Sequence, residues 1–215
     1  MEVLTQYATR ARRAARVAAQ RQCLRLTLGF LVAILGASET PVSGATDEAP
    51  TEYEVKAAFI FKFVSFVEWP EESFPENDTP IRIGILGEDP FGTSLDRTIE
   101  GKSVRGRTLE ARRSNDVEEL SACHMVFVAQ PVPADVQSLT TKLHERHILT
   151  IGDSADFAKR GGIINFVERE GKIRFEINAK SAQRANIRIS SQLLSLAHLI
   201  ESEEDGEEDR EEAPA

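Results

Sequence analysis

The triplet Gly152-Asp153-Ser154 offers a nucleophile in a setting that one class of serine esterases also uses. Serine attack needs a base to take the hydroxyl proton and a third group to orient that base. In those esterases the serine lies near the domain start and the base comes from a late Asp-x-x-His. Here the late histidine is His198, and Ser195 stands three residues before it where an acid is required. The glycine and asparagine blocks that would supply oxyanion donors are also missing. Asp153 and Ser154 stand between an apolar run and "SADFAKRG", where both residue types accept hydrogen bonds from the free amides of a helix start. The reading is a helix cap, with no catalytic residue and no enzyme.

Other residue types with chemical capacity give weaker patterns. His144 and His147 are three apart, but two ligands do not make a site and no acidic or cysteine cluster adjoins them. They read as a solvated helix end. Cys123 and His124 are neighbours in a strand and point to opposite faces. No metal and no cofactor is expected. Gly87 and Gly92 bracket "EDPF" without the Gly-Lys-Ser/Thr ending of a phosphate loop or a full G-x-G-x-x-G. They follow a strand's carboxyl end, where open α/β sheets bind ligands. Gly161 and Gly162 most simply end a helix and start a strand, with close backbone approach to a ligand as the alternative. These four glycines are the candidate ligand contacts. Trp69, the sole tryptophan, stands with Phe66 and Pro70 where a helix must stop. Packing is one role for it. The other is a partner anchor, because tryptophan is enriched among interface hot spots.

The elements that position these residues follow from periodicity. "EYEVKAAFIFKFVSFVEWP", Glu52 to Pro70, keeps helical spacing at Val55, Phe59, Phe63, Phe66 and Val67, and Pro70 stops it. Its apolar face extends nearly all round, which predicts burial on several sides. "IRIGILG" alternates as a strand. "EDPFGTSLDRTI" is a turn and short helix, "GRTLEARR" a second strand, and "DVEEL" a helical turn. "CHMVFVA" is continuously apolar, as a central strand covered on both faces should be. "PADVQSLTTKLHER" is a helix, "HILTIG" a strand and "SADFAKRG" a short helix closed by glycine. "GGIINFVEREGKIRFEIN" holds two strands joined at Glu170-Gly171, a hairpin signal. "SAQRANIRISSQLLSLAHLI" supplies one or two closing helices. The alternation predicts an α/β fold, a mostly parallel central sheet with helices on both faces and an antiparallel C-terminal hairpin at one side.

Length and charge set the outer limits. The 215 residues suit one domain with terminal extras, and 41% hydrophobic with 28% charged residues is ordinary for a globular core. The net charge of −9 divides into +4 over residues 1–45, −8 over 201–212 and −5 between them. No basic face marks a nucleic-acid partner. An Arg-rich start, the apolar run Leu24 to Ala37 and small residues at Ser43 and Ala45 read as a cleavable secretory signal over 1–45. The run falls short of the about 20 residues of a membrane helix, with uncleaved anchoring as the alternative. Residues 46–52 read as a linker, 53–200 as the domain and 201–215 as a disordered acidic tail. After cleavage only Cys123 remains, either a buried small hydrophobe or a thiol open to intermolecular pairing.

The stretches "KAAFIFKFVSFVEWP", "IRIGILGEDPFG", "CHMVFVA", "ILTIGDSADFAKRGGIINFVEREGKIRFEIN" and "ISSQLLSLA" run in order through residues 53–199. Together they resemble the YfiR family of exported proteins, the domain of unknown function DUF4154. The Phe-x-x-Trp-Pro ending of the first helix and Gly-Gly-x-Ile before the hairpin carry most of the likeness. The resemblance implies a periplasmic, non-enzymatic regulator. Its best-known member dimerises and represses an inner-membrane diguanylate cyclase, and an outer-membrane lipoprotein sequesters it. The output is control of cyclic-di-GMP and of biofilm formation. Other relatives are linked to histidine kinases or outer-membrane receptors, which leaves a small-solute-binding sensor serving such a system as the alternative. That best-known member uses disulfides. Cys123 has no partner in the mature chain, and redox gating does not carry over.

Overall fold

A computed structural model describes residues 49–131 and 135–200. The expected signal segment, the start of the linker, residues 132–134 and the acidic tail lie outside the described residues. The first helix, α1 (Glu52–Phe66), starts with a capping box: the Glu54 amide donates to the Thr51 hydroxyl, and the Thr51 amide donates to the Glu54 carboxylate. Ala57, Ile60, Phe63 and Val64 are buried along it, as the wide apolar face requires. No helix among the described residues is long and apolar enough to cross a membrane.

The strands are β1 (Val67–Glu68), β2 (Ile81–Leu86), β3 (Ser103–Val104), β4 (Arg107–Ser114), β5 (Met125–Val128), β6 (Leu149–Gly152), β7 (Ile164–Arg169), β8 (Lys172–Asn178), β9 (Arg188–Ile189) and β10 (His198–Ile200). The later helices are α2 (Ser94–Ile99), α3 (Val136–His144), α4 (Ala179–Arg184) and α5 (Ser191–Leu194). Eight strands form one sheet in the order β10-β8-β7-β6-β5-β2-β4-β3. The run from β4 through β2, β5 and β6 to β7 is parallel, β7 and β8 form the antiparallel hairpin, and β10 pairs parallel on β8. β1 and β9 make a separate two-stranded ribbon.

Alternation along the strands builds two cores. Ile81, Ile83 and Ile85 of β2, Met125 and Phe127 of β5, and Leu149 and Ile151 of β6 pack with α1 and α2 on one face. Leu86, Val126 and Val128 pack with Val136 and Leu143 of α3 on the other. Each such side chain, when fully buried, contributes roughly 1.5–3 kcal/mol. An aromatic cluster locks α1 to the hairpin: the Phe63 ring lies 5.8 Å from Phe166 and 5.1 Å from Phe175. At Glu170 (φ 54°) and Gly171 (φ 68°) both central turn residues are left-handed, which suits the right-handed twist of the strands.

Three elements depart from expectation. α1 ends at Phe66 and not at Pro70, because Val67 is extended and pairs with Ile189. "SADFAKRG" is a run of turns rather than a helix, with Asp156 left-handed at φ 58°. The closing segment holds two short helices but also β9 and β10.

Candidate functional site

The described residues bring one charged constellation into the interior, at the carboxyl end of β6. Tyr53 and Lys56 are three apart on the first turns of α1 and share a face. Both reach Asp153, the first residue beyond β6. The Lys56 ammonium lies 2.7 Å from Asp153 Oδ2, and both side chains are only 4% exposed. The Tyr53 hydroxyl donates to the same oxygen at 3.0 Å. Gln130, just past β5, donates from Nε2 to Asp153 Oδ1 and to its carbonyl, each at 3.3 Å. Glu52 is 2.5 Å from Lys56 across one helical turn. The ammonium also lies 4.4 Å from the Tyr53 ring centroid.

Burial alone would lower the Lys56 pKa, but the hydrogen bonds that its ammonium donates to the Asp153 and Glu52 carboxylates outweigh it and raise the value. Tyr53 is raised by burial and by the Asp153 charge. Taking a charge pair out of water costs several kcal/mol per ion unless the remaining valences are filled. Tyr53, Gln130 and Glu52 fill them here.

Asp153 therefore caps no helix, and the sequence reading of it is corrected: no helix follows β6. Ser154 Oγ is buried and makes no hydrogen bond, so no histidine within reach prepares it as a nucleophile. The histidine pair is also corrected. His144 is buried and shares a hydrogen bond with Thr150 Oγ1 at 3.1 Å; His147 sits past α3 at φ 58° with its ring on the Ala185 carbonyl. Neither is a solvated helix end. Among the described residues no group of three or more histidine, cysteine, aspartate or glutamate side chains is placed to hold a metal ion.

The four glycines do not meet. Gly87 (φ 98°) and Gly92 (φ 54°) shape the loop after the carboxyl end of β2, which Arg113 ties down through Asp89 and Asp96, each at 2.6 Å. Gly161 and Gly162 precede β7, at the opposite end of the parallel strands. A Cβ on Gly162 would fall 2.3 Å from the Phe157 ring, and one on Gly161 would fall 2.7 Å from Thr140 Oγ1. A single pocket formed by all four is therefore excluded by the topology. Cys123 is free and buried, and burial pushes its thiol up to about 11.

A family model described as YfiR/HmsC-like, DUF4154, matches residues 53–198. The chain belongs to the YfiR/HmsC-like family. Its members are periplasmic regulators of cyclic-di-GMP signalling rather than enzymes, and they serve membrane signalling partners in general. No curated protein matches. A conserved domain protein from Vibrio cholerae O1 biovar El Tor strain N16961 is similar over 69% of this chain and 60% of its own, with 13% identity and a TM-score of 0.43. The ABC domain in complex with L-Trp from Streptococcus pneumoniae is similar over 56% of this chain and 55% of its own, with 16% identity and a TM-score of 0.39. This chain thus spans 60% and 55% of those two structures, and at such scores neither bears on function.

In this YfiR-like domain Phe66, Trp69 and Pro70 are each half-buried. The Trp69 indole N–H donates to the His124 carbonyl at 2.8 Å, and its ring stands edge-on to Phe74 and His124. The large apolar side chains most open to solvent among the described residues are instead Leu196, 70% exposed, and Leu199, 55% exposed, on and beside β10. Tyr53, Lys56 and Gln130 escaped the sequence reading. A signal was available: a lysine inside a helix apolar nearly all round needs a buried anion, and Asp153 stands at the end of a mostly apolar strand.

Proposed function

We propose that this YfiR-like domain binds the periplasmic part of an inner-membrane diguanylate cyclase and holds it inactive. Family membership supports the signalling pathway. The observation that carries partner binding is the outer strand β10, where Leu196 and Leu199 stand out from the sheet edge. Large apolar groups gathered at an edge are what interfaces use and what free surfaces avoid. The end of α1 adjoins this segment. The Ser190 amide donates to the Phe66 carbonyl at 2.9 Å, and α5 packs on α1. Phe66, with Trp69 and Pro70 beyond it, extends the proposed surface. Repression works by population shift: the domain binds one conformation of the cyclase better than the other and can shift it only by that difference. An outer-membrane lipoprotein competing for the same surface would relieve repression, and a homodimer would use part of it.

The test is recovery of the cyclase from detergent-solubilised envelope by the tagged, exported protein. Exchanging Leu196 and Leu199 together for aspartate is expected to cut recovery at least tenfold, a change of about 1.4 kcal/mol, with the melting temperature unchanged. Equal recovery by the double variant would remove β10 from the interface. Recovery of a histidine kinase in place of a cyclase would keep the regulatory class and change the output.

A further inference from the structure

Residues 69–80 link β1 to β2 as a strap whose regular structure is a single 3-10 turn, Glu71–Ser73. Most of it is exposed, including Glu71, Glu72, Glu76 and Asp78. His124, at the start of β5 and only 2% exposed, fastens it to the sheet. The ring reaches both ways: Nε2 lies 3.0 Å from the Ser73 carbonyl and Nδ1 lies 3.0 Å from the Arg82 amide. Phe74 stacks on the ring with centroids 4.5 Å apart, and the Trp69 indole N–H donates to the His124 carbonyl at 2.8 Å. The His124 backbone is itself fixed, its amide on the Arg82 carbonyl and its carbonyl on the Leu149 amide, each at 2.9 Å. If the ring lets go, the strap is the part that moves.

These partners decide where the proton sits. A carbonyl can only accept, so Nε2 carries the hydrogen and donates to Ser73. A backbone amide can only donate, so Nδ1 must be bare to accept from Arg82. A second proton has to go on Nδ1, where it removes that bond and sets two donors against each other. The surrounding charges also oppose it. Arg82 of β2 and Arg107 of β4 are the cations that act on the ring, and burial, the larger cause, works in the same direction against the Ser73 bond. Arg107 lies 4.1 Å from the Phe74 centroid, so a charged His124 would meet a cation across that ring. The nearby carboxylates are engaged elsewhere: Glu110 of β4 is 3.7 Å from Arg82 and 3.1 Å from Arg112, and Glu68 of β1 is 3.9 Å from Arg105. The adjoining Cys123 thiol, pushed up to about 11, is neutral. His147 has the opposite sense. Its Nδ1 is on the Ala185 carbonyl, so a proton on Nε2 faces the Glu72 carboxylate at 3.4 Å and tightens the same turn. Ser73 Oγ is buried without a hydrogen bond and gains water when the turn lifts.

We infer that His124 is an acid-sensitive latch: on taking a second proton it releases the 69–80 strap and uncovers Trp69. One proton opens it, so the ratio of open to closed strap rises by up to about tenfold per pH unit below the ordinary histidine value of about 6.5. The latch stands on its own geometry. Its consequence for a partner rests on the surface proposed above, to which Trp69 and Pro70 belong.

The experiment is acrylamide quenching of Trp69, the sole tryptophan, in the full chain from pH 7.5 to 4.5, with far-ultraviolet circular dichroism followed in parallel. The open-to-closed ratio read from quenching is expected to rise about fivefold to tenfold between pH 6 and 5, at unchanged dichroism. His124→Gln cannot take the proton and should abolish the pH dependence, whatever its baseline. Arg82→Gln keeps the backbone amide bond but removes a facing cation, and should move the midpoint to higher pH. His144→Gln should leave the curve in place. Quenching flat across the range, a rise that accompanies loss of the dichroism signal, a titration retained by His124→Gln, or a midpoint that Arg82→Gln leaves unmoved would each overturn the latch. Recovery of the partner that stays equal at pH 7.5 and 5 while Trp69 titrates would count against Trp69 in the partner surface and leave the latch standing.

Discussion

At the scale of single residues, the molecule's ionisable interior divides into one pair that must stay charged and histidines that must stay neutral. Removing one partner of the Lys56–Asp153 pair leaves a buried charge unmatched, which costs about 3–5 kcal/mol. Asp153→Ala and Lys56→Met should each lower the unfolding free energy from urea titration by that much, whereas the two exchanged together should cost less than either alone. A double variant that loses the sum of the single losses would show that the pair does not act as a unit. His144 is held down to about 4 by burial first and by the Arg184 charge second. His124 is lowered in the same direction, by burial and then by nearby arginines against a bond to the Ser73 carbonyl. A folded state that binds fewer protons than the unfolded one gains stability as pH rises. Stability should therefore fall as pH drops from 6.5 to 4, by about 3 kcal/mol from His144 at 1.36 kcal/mol per pH unit. His144→Gln should flatten that part of the curve, and parallel curves for variant and parent would clear His144 of the role. These roles were hard to read in the chain. Asp153 looked like a cap because Tyr53 and Lys56 lie 100 and 97 residues away from it.

At the scale of elements, legibility tracked how many faces a segment buries. β2 was readable from its alternation and β5 from its unbroken apolar run, and the hairpin because Glu170-Gly171 carries a turn with its own chemistry. β9 and β10, of two and three residues, carry too little periodicity to stand apart from the helices around them. The run after β6 was misread because its shape is set by one ring. Phe157, fully buried, fits between Gly152 and Gly162, where added Cβ atoms would stand 2.6 and 2.3 Å from ring carbons. The glycine pair before β7 thus serves packing. Gly162→Ala should cost at least the roughly 1–3 kcal/mol of an overpacked core, and Phe157→Leu should restore part of that loss in the double variant. Gly92→Ala meets no atom within 4 Å and should cost only its left-handed strain, about 1–2 kcal/mol. Denaturant midpoints in which Gly92→Ala is the more damaging would reverse this assignment.

At the scale of the whole molecule, the ribbon of β1 and β9 joins the latch to the proposed partner surface. The strap leaves β1 at Trp69, and β1 pairs with β9 through Val67–Ile189 and Glu68–Arg188. Beyond β9 the chain enters α5 and β10, and the Ser190 amide between them holds the Phe66 carbonyl. A close-packed interior transmits displacement, and Trp69 and Pro70 are held in place only while the strap is closed. Proton at His124 and partner at the surface should then be linked, and linkage is reciprocal: the proton must change the partner's affinity by the same factor that the partner changes the proton's. Couplings of this class are about 1–3 kcal/mol, or 5–150-fold. The partner's Kd for the wild-type chain should therefore rise at least fivefold as pH falls from 7 to 5, and the Trp69 quenching midpoint should move to lower pH when the partner's periplasmic domain is saturating. The His124→Gln variant should show a smaller change in partner affinity over the same range, which separates the latch from any titration of the partner itself. A partner Kd indifferent to pH while Trp69 titrates would mean that the ribbon holds latch and surface in one molecule without connecting them, and that acid sensing serves a function apart from repression.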